Sequence, residues 1–279
     1  MILFGPAGVP LSCPSRKPED GVVEVKRLGL DCMEVEFVHG VRMSGEAALR
    51  LRSAATANQI ALTCHGPYYI NLSSEEEDKI EASVTRILDT ARKAQEFGGQ
   101  SITFHAAFFQ QRDPETVFAM VADKMREVLQ TLEKEGVRVA VSPELTGKPS
   151  QFGSLTDLIG LARAVPGLHL CIDFSHLVAR GAGAGNDYDG FAAALSLLKR
   201  DLGPSSLRRL HMHASGIEWT AKGERRHLRL HESKFDWQAL VQALVDFQVG
   251  GIMICESPVM EEDALILKRE YLRRKGSNS

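Results

Sequence analysis

SITFHAAFFQQRDPETVFAMVADKMREVLQTLEKEGVRVAVSPE, residues 101–144, holds one complete repeat of the pattern that decides the fold. Its first run, Ser101–His105, is short, apolar and closed by a histidine, as a buried parallel strand would be. Asp113-Pro114-Glu115 then supplies an N-cap followed by proline at the first helical position, where the missing N–H is no loss. The amphipathic stretch Pro114–Glu135 reads as the helix, and Gly136 stops it. The next apolar run, Arg138–Glu144, again ends in an ionisable residue.

The same reading extends in both directions. Candidate strands are Ile2–Gly5, Cys32–Phe37, Ala61–His65, Ser101–His105, Arg138–Glu144, Leu168–Asp173, Leu207–His213 and Gly251–Glu256. Amphipathic helices are predicted over Glu75–Phe97, stopped by Gly98, and over Ser154–Ala164 and Asp236–Phe247. Eight such units share the 279 residues, about 35 residues each, the length of a βα unit that closes a barrel. A doubly wound open sheet would alternate in the same way, but no GxGxxG follows the first strand. The expected fold is α/β, a TIM (β/α)8 barrel. It should form one domain over residues 1–279 with a short basic C-terminal tail at Arg273, Arg274 and Lys275.

At 44% hydrophobic and 25% charged residues, the chain has the material for a large core and is neither disordered nor collagen-like. No apolar run approaches the roughly 18–20 residues that span a bilayer. The start, MILFGPAGVP, lacks the basic segment and cleavage site of a signal peptide, so a cytoplasmic protein is expected. A monomer without membrane contact is expected as well. Cys13, Cys32, Cys64, Cys171 and Cys255 are odd in number and contain no CxxC, which argues against a disulfide framework or a zinc ribbon. The formal charge is −3, yet between Ser205 and Phe235 five Arg and two Lys stand against three Glu. That segment reads as a basic loop.

His65, His105, Glu144, Asp173, His213 and Glu256 each fall at the end of a different candidate strand, spaced 40, 39, 29, 40 and 43 residues apart. In a closed barrel all six converge on the carboxyl rim, where barrel enzymes place their chemistry. Burying six such groups without partners would cost several kcal/mol each. Three imidazoles and three carboxylates instead suit Zn²⁺, Mn²⁺ or Fe²⁺. His176, three residues after Asp173, and His227, in the basic loop, are further candidates, and His211 shares a strand face with His213 and could support it.

HGPYYINL at 65–72, FHAA at 104–107, PELTG at 143–147, CIDFSHLVARG at 171–181, MH at 212–213, RRH at 225–227 and CESP at 255–258 resemble the endonuclease IV family of apurinic/apyrimidinic endonucleases. Those enzymes are TIM barrels of the wider xylose-isomerase-like superfamily. The resemblance runs from about Ile2 to Pro258 and implies cleavage of the DNA backbone 5′ to abasic sites by a centre of three zinc ions. It implies that His65 and His105 bind a first zinc, that Glu144 bridges to a second, and that Asp173, His213 and Glu256 complete the second. His176 and His227 match two ligands of the third. Tyr68 and Tyr69 match a loop that intrudes into DNA. The ninth family ligand, an Asp two residues before the last histidine, is Arg225 here, in Glu224-Arg225-Arg226-His227. A cation there repels a metal. The third position is therefore expected to be empty, weakly held, or completed by Glu224 if the loop shifts by one residue. Arg225 and Arg226 are expected to hold phosphates.

In that reading Glu144 is the catalytic carboxylate, Zn²⁺ the cofactor, with Mn²⁺ an alternative, and DNA containing abasic sites the partner. A sugar isomerase or epimerase of the same superfamily, with one metal on Glu144, Asp173, His213 and Glu256, is the alternative enzyme. A binding protein without turnover is a third reading.

Overall fold

The computed structural model describes residues 1–277. Eight parallel strands form its centre: β1 (Ile2–Pro6), β2 (Cys32–Glu36), β3 (Ala61–His65), β4 (Ser101–Phe104), β5 (Ala140–Pro143), β6 (Cys171–Asp173), β7 (Leu210–Ala214) and β8 (Gly251–Cys255). Continuous ladders join β2 through β5 in order, and β6, β7, β8 and β1 in order. Single bridges, Ala7 to Glu34 and Glu144 to Cys171, close the two remaining seams. The expected TIM barrel is the observed fold, α/β in class.

Sequence detail explains the closure. A Cβ on Gly5 would lie 1.8 Å from the carbonyl oxygen of Cys32, so only glycine lets β1 and β2 meet this closely. The helices α1 (Glu77–Phe97) and α2 (Pro114–Lys134) bury faces spaced three and four residues apart, with Ile80, Val84, Ile87 and Ala91 on one and Val117, Val121, Met125 and Val128 on the other. Each fully buried aliphatic side chain stabilises the shell by roughly 1.5–3 kcal/mol. Asp113 caps α2 by accepting from Thr116 N at 2.9 Å, and Gly98 ends α1 in a left-handed turn at φ 83°.

Three expectations need correction. The run from Leu207 does not start a strand, because Pro204–Arg208 forms a 3-10 turn and β7 begins at Leu210. The basic loop is an antiparallel hairpin, Gly216–Thr220 against Gly223–Leu228. The basic tail is no tail: Arg273, Arg274 and Lys275 lie on the final helix, Glu261–Ser277. Arg273 and Arg274 pair there with Glu270 at 2.8 and 2.5 Å, a turn away on the same face. Among the described residues no helix is long and apolar enough to cross a membrane.

Candidate metal centre

The barrel places the predicted donors at its carboxyl rim. His65 and Asp173 end β3 and β6, His213 is the last residue but one of β7, and His105, Glu144 and Glu256 follow β4, β5 and β8 directly. Asp173 also caps the short helix Phe174–Arg180, accepting from His176 N at 2.7 Å, and this fixes His176 one turn further on. The donor atoms fall into three adjoining groups, each with members within 4.8 Å of one another: His65, His105 and Glu144; Glu144, Asp173, His213 and Glu256; and His176, Glu224 and His227.

Glu144 joins the groups. Its Oε2 lies 3.1 Å from Nε2 of His65 and 3.4 Å from Nε2 of His105, while Oε1 lies 3.4 Å from Nδ1 of His213. Glu256 Oε1 is 3.5 Å from the same Nδ1. The rings of His65 and His105, of His105 and His176, and of His176 and His227 stand 5.9, 5.8 and 5.6 Å apart in a continuous row.

The residues fit metal ions. Glu144 Oε1, Asp173 Oδ2, His176 Nε2 and His213 Nδ1 are buried with no hydrogen-bond partner among the described residues, and all belong to the three groups. Buried polar atoms rarely stay unpaired, and shared cations would satisfy all four. Electrostatics point the same way. Burial works against the charged His65 imidazole, yet the Glu144 carboxylate outweighs it and pushes the group up to about 10. His176 and His213 are likewise raised against burial, by Asp173 and Glu144 and by Cys171 and Glu256 respectively. Burial opposes charge on Glu256, but His213 holds it down to about 2. The carboxylates thus favour positive charge at His65, His176 and His213, whether protons or metal ions bring it.

The third group settles the question raised by Arg225. In a regular hairpin Arg225 would share a face with His227, two residues on. The observed register pairs Glu218 with Arg226 but Trp219 with Glu224, so Arg225 is the extra residue of a β-bulge. The bulge returns Glu224, not Arg225, to the face of His227. Glu224 Oε2 lies 3.5 Å from Nε2 of His176, and Oε1 lies 3.8 Å from Nε2 of His227. Gly147 makes the space: a Cβ there would meet Glu224 Cβ at 2.6 Å and His176 Cδ2 at 3.0 Å. Arg225 and Arg226 both turn to Glu218, at 2.8 and 2.6 Å, with side chains 64% and 66% exposed. Of the outcomes expected for this position, the geometry matches the one in which a one-residue shift brings Glu224 to the missing carboxylate's place, while Arg225 turns away from it.

Tyr68 and Tyr69 stand 61% and 64% exposed, and the Tyr68 ring lies 6.1 Å from that of His65. Sequence reasoning overlooked two carboxylates of β2. Glu34 is fully buried, and burial pushes Glu36 up to about 8. A fourth donor group, Cys171, His211 and His213, lies on the inner faces of β6 and β7 and shares His213 with the second group.

The model of the xylose isomerase-like TIM barrel family matches residues 22–275. The chain belongs to that family. A relative, an uncharacterized protein of Methanocaldococcus jannaschii, is 39% identical over 272 residues, 97% of each chain. Among solved structures of this fold, endonuclease IV from Thermus thermophilus is 22% identical with a TM-score of 0.75, over 98% of this chain and all of the other. A D-tagatose 3-epimerase-like protein is 17% identical with the same TM-score, 0.75, over 99% of both chains. At these identities the likeness is one of fold, and family membership alone does not choose between nuclease and epimerase.

Proposed function

We propose that the protein is a metal-dependent phosphodiesterase that cuts the DNA backbone 5′ to abasic sites. The observation that carries this reading is the set of nine donors in three adjoining groups, with Glu144 common to two of them. Divalent ions at such groups, Zn²⁺ or Mn²⁺, would supply charge to phosphoryl oxygens and lower the pKa of water. The charge balance favours an anionic substrate. Four carboxylates, Glu144, Asp173, Glu224 and Glu256, against three divalent ions leave two positive charges over. One ion held by Glu144, Asp173 and Glu256 alone would leave the site negative, which suits an uncharged sugar.

The chain's own groups have distinct work. Glu144 holds the first two groups at one spacing, and the row of imidazoles sets a track along which a phosphodiester can lie. Tyr68 and Tyr69 offer exposed rings to the bases flanking a gap, where an abasic nucleotide costs less to extrude than an intact one. The hairpin carries Arg225 and Arg226 to phosphates, giving affinity without sequence reading, although Glu218 offsets part of their charge.

The test is a duplex with one abasic site, incubated with the metal-loaded protein. Scission on the 5′ side of the lesion is expected, with an undamaged duplex left intact. Glu144→Gln should reduce the rate by at least about 100-fold, the scale of losing one electrostatic stabiliser, while the folded state survives. Wild-type inertness with both zinc and manganese would contradict the proposal. The epimerase reading keeps one supporting observation, that Glu144, Asp173, His213 and Glu256 form a complete four-donor group by themselves. It leaves His65, His105, His176, Glu224 and His227 without a role.

A further inference from the structure

Three imidazoles of the centre are held from behind by the main chain. His65, His176 and His227 each turn Nδ1 to a carbonyl oxygen, of Gly66 at 2.8 Å, Leu145 at 3.0 Å and Glu256 at 2.9 Å. This leaves Nε2 free to face the carboxylates. His213 is reversed. Its Nδ1 faces Glu144 and Glu256, and its Nε2 points into the barrel, 2.9 Å from Oε1 of Glu34. The other oxygen of Glu34 lies 2.9 Å from Nε2 of His211. His211 Nδ1 is 3.1 Å from Ser101 Oγ, which lies 2.9 Å from Ser142 Oγ. Both contacts of Glu34 are at ion-pair distance without the alignment of a linear hydrogen bond.

A fully buried carboxylate is costly and persists where its charge is used. We propose that Glu34 is the positioning residue for His213: it keeps the ring proton on Nε2, so that Nδ1 is the atom offered to a metal. A carboxylate behind a ligating histidine fixes both tautomer and ring orientation. It does here, from inside the barrel, what backbone carbonyls do for the other three rings. His211, anchored through Ser101 and Ser142, holds the second oxygen and with it the plane of the carboxylate.

The proposal rests on reading Glu144, Asp173, His213 and Glu256 as metal ligands, so its test begins without metal. Nitrogen-15 spectra of the histidines in the full metal-free chain, recorded at a pH high enough that each ring carries a single proton, should show that proton on Nε2 in both His211 and His213. Correct tautomers in a chain that binds no zinc would fault the metal reading and leave the role of Glu34 standing. In Glu34→Gln the amide can accept from one ring only and must donate to the other. Donating to His211 is tolerable, because the displaced proton moves to Nδ1 and Ser101 Oγ accepts it. The variant should therefore switch the His211 tautomer, preserve that of His213, and bind zinc with little loss. Glu34→Met offers no acceptor and should weaken zinc binding, read by chelator competition, by about 10–100-fold. If the Met variant fails to fold, the tautomer pattern of the Gln variant still decides. A singly protonated His213 with its proton on Nδ1 in the wild type overturns the proposal, as does a Met variant with unchanged tautomer and zinc affinity.

Discussion

His65 shows how one side chain can report on the whole centre. Its proton is held against burial by Glu144, to about pH 10, so the metal-free chain carries an imidazolium there at neutral pH. An unfolded histidine titrates near 6.5. The raised value means that this pair stabilises the metal-free fold fully below about pH 6.5 and loses that contribution as pH rises towards 10. Metal must displace the same proton, so zinc affinity should rise over that window while metal-free stability falls. Calorimetric titration in two buffers of different ionisation enthalpy should show proton release on zinc binding at pH 7; no release would contradict the protonated pair. Gly147 makes an equally local prediction. A Cβ 2.6 Å from Glu224 Cβ forces the hairpin away, at a cost of about 1–3 kcal/mol. Gly147→Ala should then weaken binding at the His176, Glu224 and His227 group alone, by about tenfold, as read by chelator competition. At this scale the sequence was legible wherever a polar residue interrupts an apolar strand end, as at His65 or Asp173. Glu34 was not, because in CMEVE it reads as the solvent face of an alternating strand, and only closure of the barrel turns that face inward.

Among the elements, the hairpin Gly216–Thr220/Gly223–Leu228 departs furthest from simple strand alternation. Counting back two residues from His227 assumes an unbroken alternation, and that assumption puts a cation at a ligand position. The bulge absorbs Arg225 and restores Glu224 to the site. Nothing in the local sequence announces it, since Arg225 is not the glycine that marks many bulges. Deleting Arg225 should restore a regular ladder with Glu224 two residues before His227, leaving the metal content of the folded protein unchanged. Glu224→Ala should lose one ion. Equal metal loss in both variants, measured by elemental analysis, would show that a regular ladder does not place Glu224 and would contradict this account of the hairpin. Strand centres and helix ends were legible, as Asp113 and Gly98 show. The start of β7 was not, because Leu207 packs in the core from a 3-10 turn much as it would from a strand.

Across the whole molecule, closure of the barrel makes the centre. Nine donors come from six strand ends, one short helix and one hairpin, and no two neighbouring units could assemble them alone. This is why a repeated spacing of ionisable residues along the chain predicted a shared site, while its charge balance needed the three-dimensional grouping. The fold is common to enzymes of different chemistry, so the number of ions separates the readings better than shape does. The most direct measurement is anomalous diffraction at the zinc edge from crystals of the zinc-loaded protein. Three peaks are expected, at His65/His105/Glu144, at Glu144/Asp173/His213/Glu256 and at His176/Glu224/His227. A single peak at the Glu144/Asp173/His213/Glu256 group, with the remaining imidazoles unligated, would contradict the account and favour a one-metal sugar enzyme.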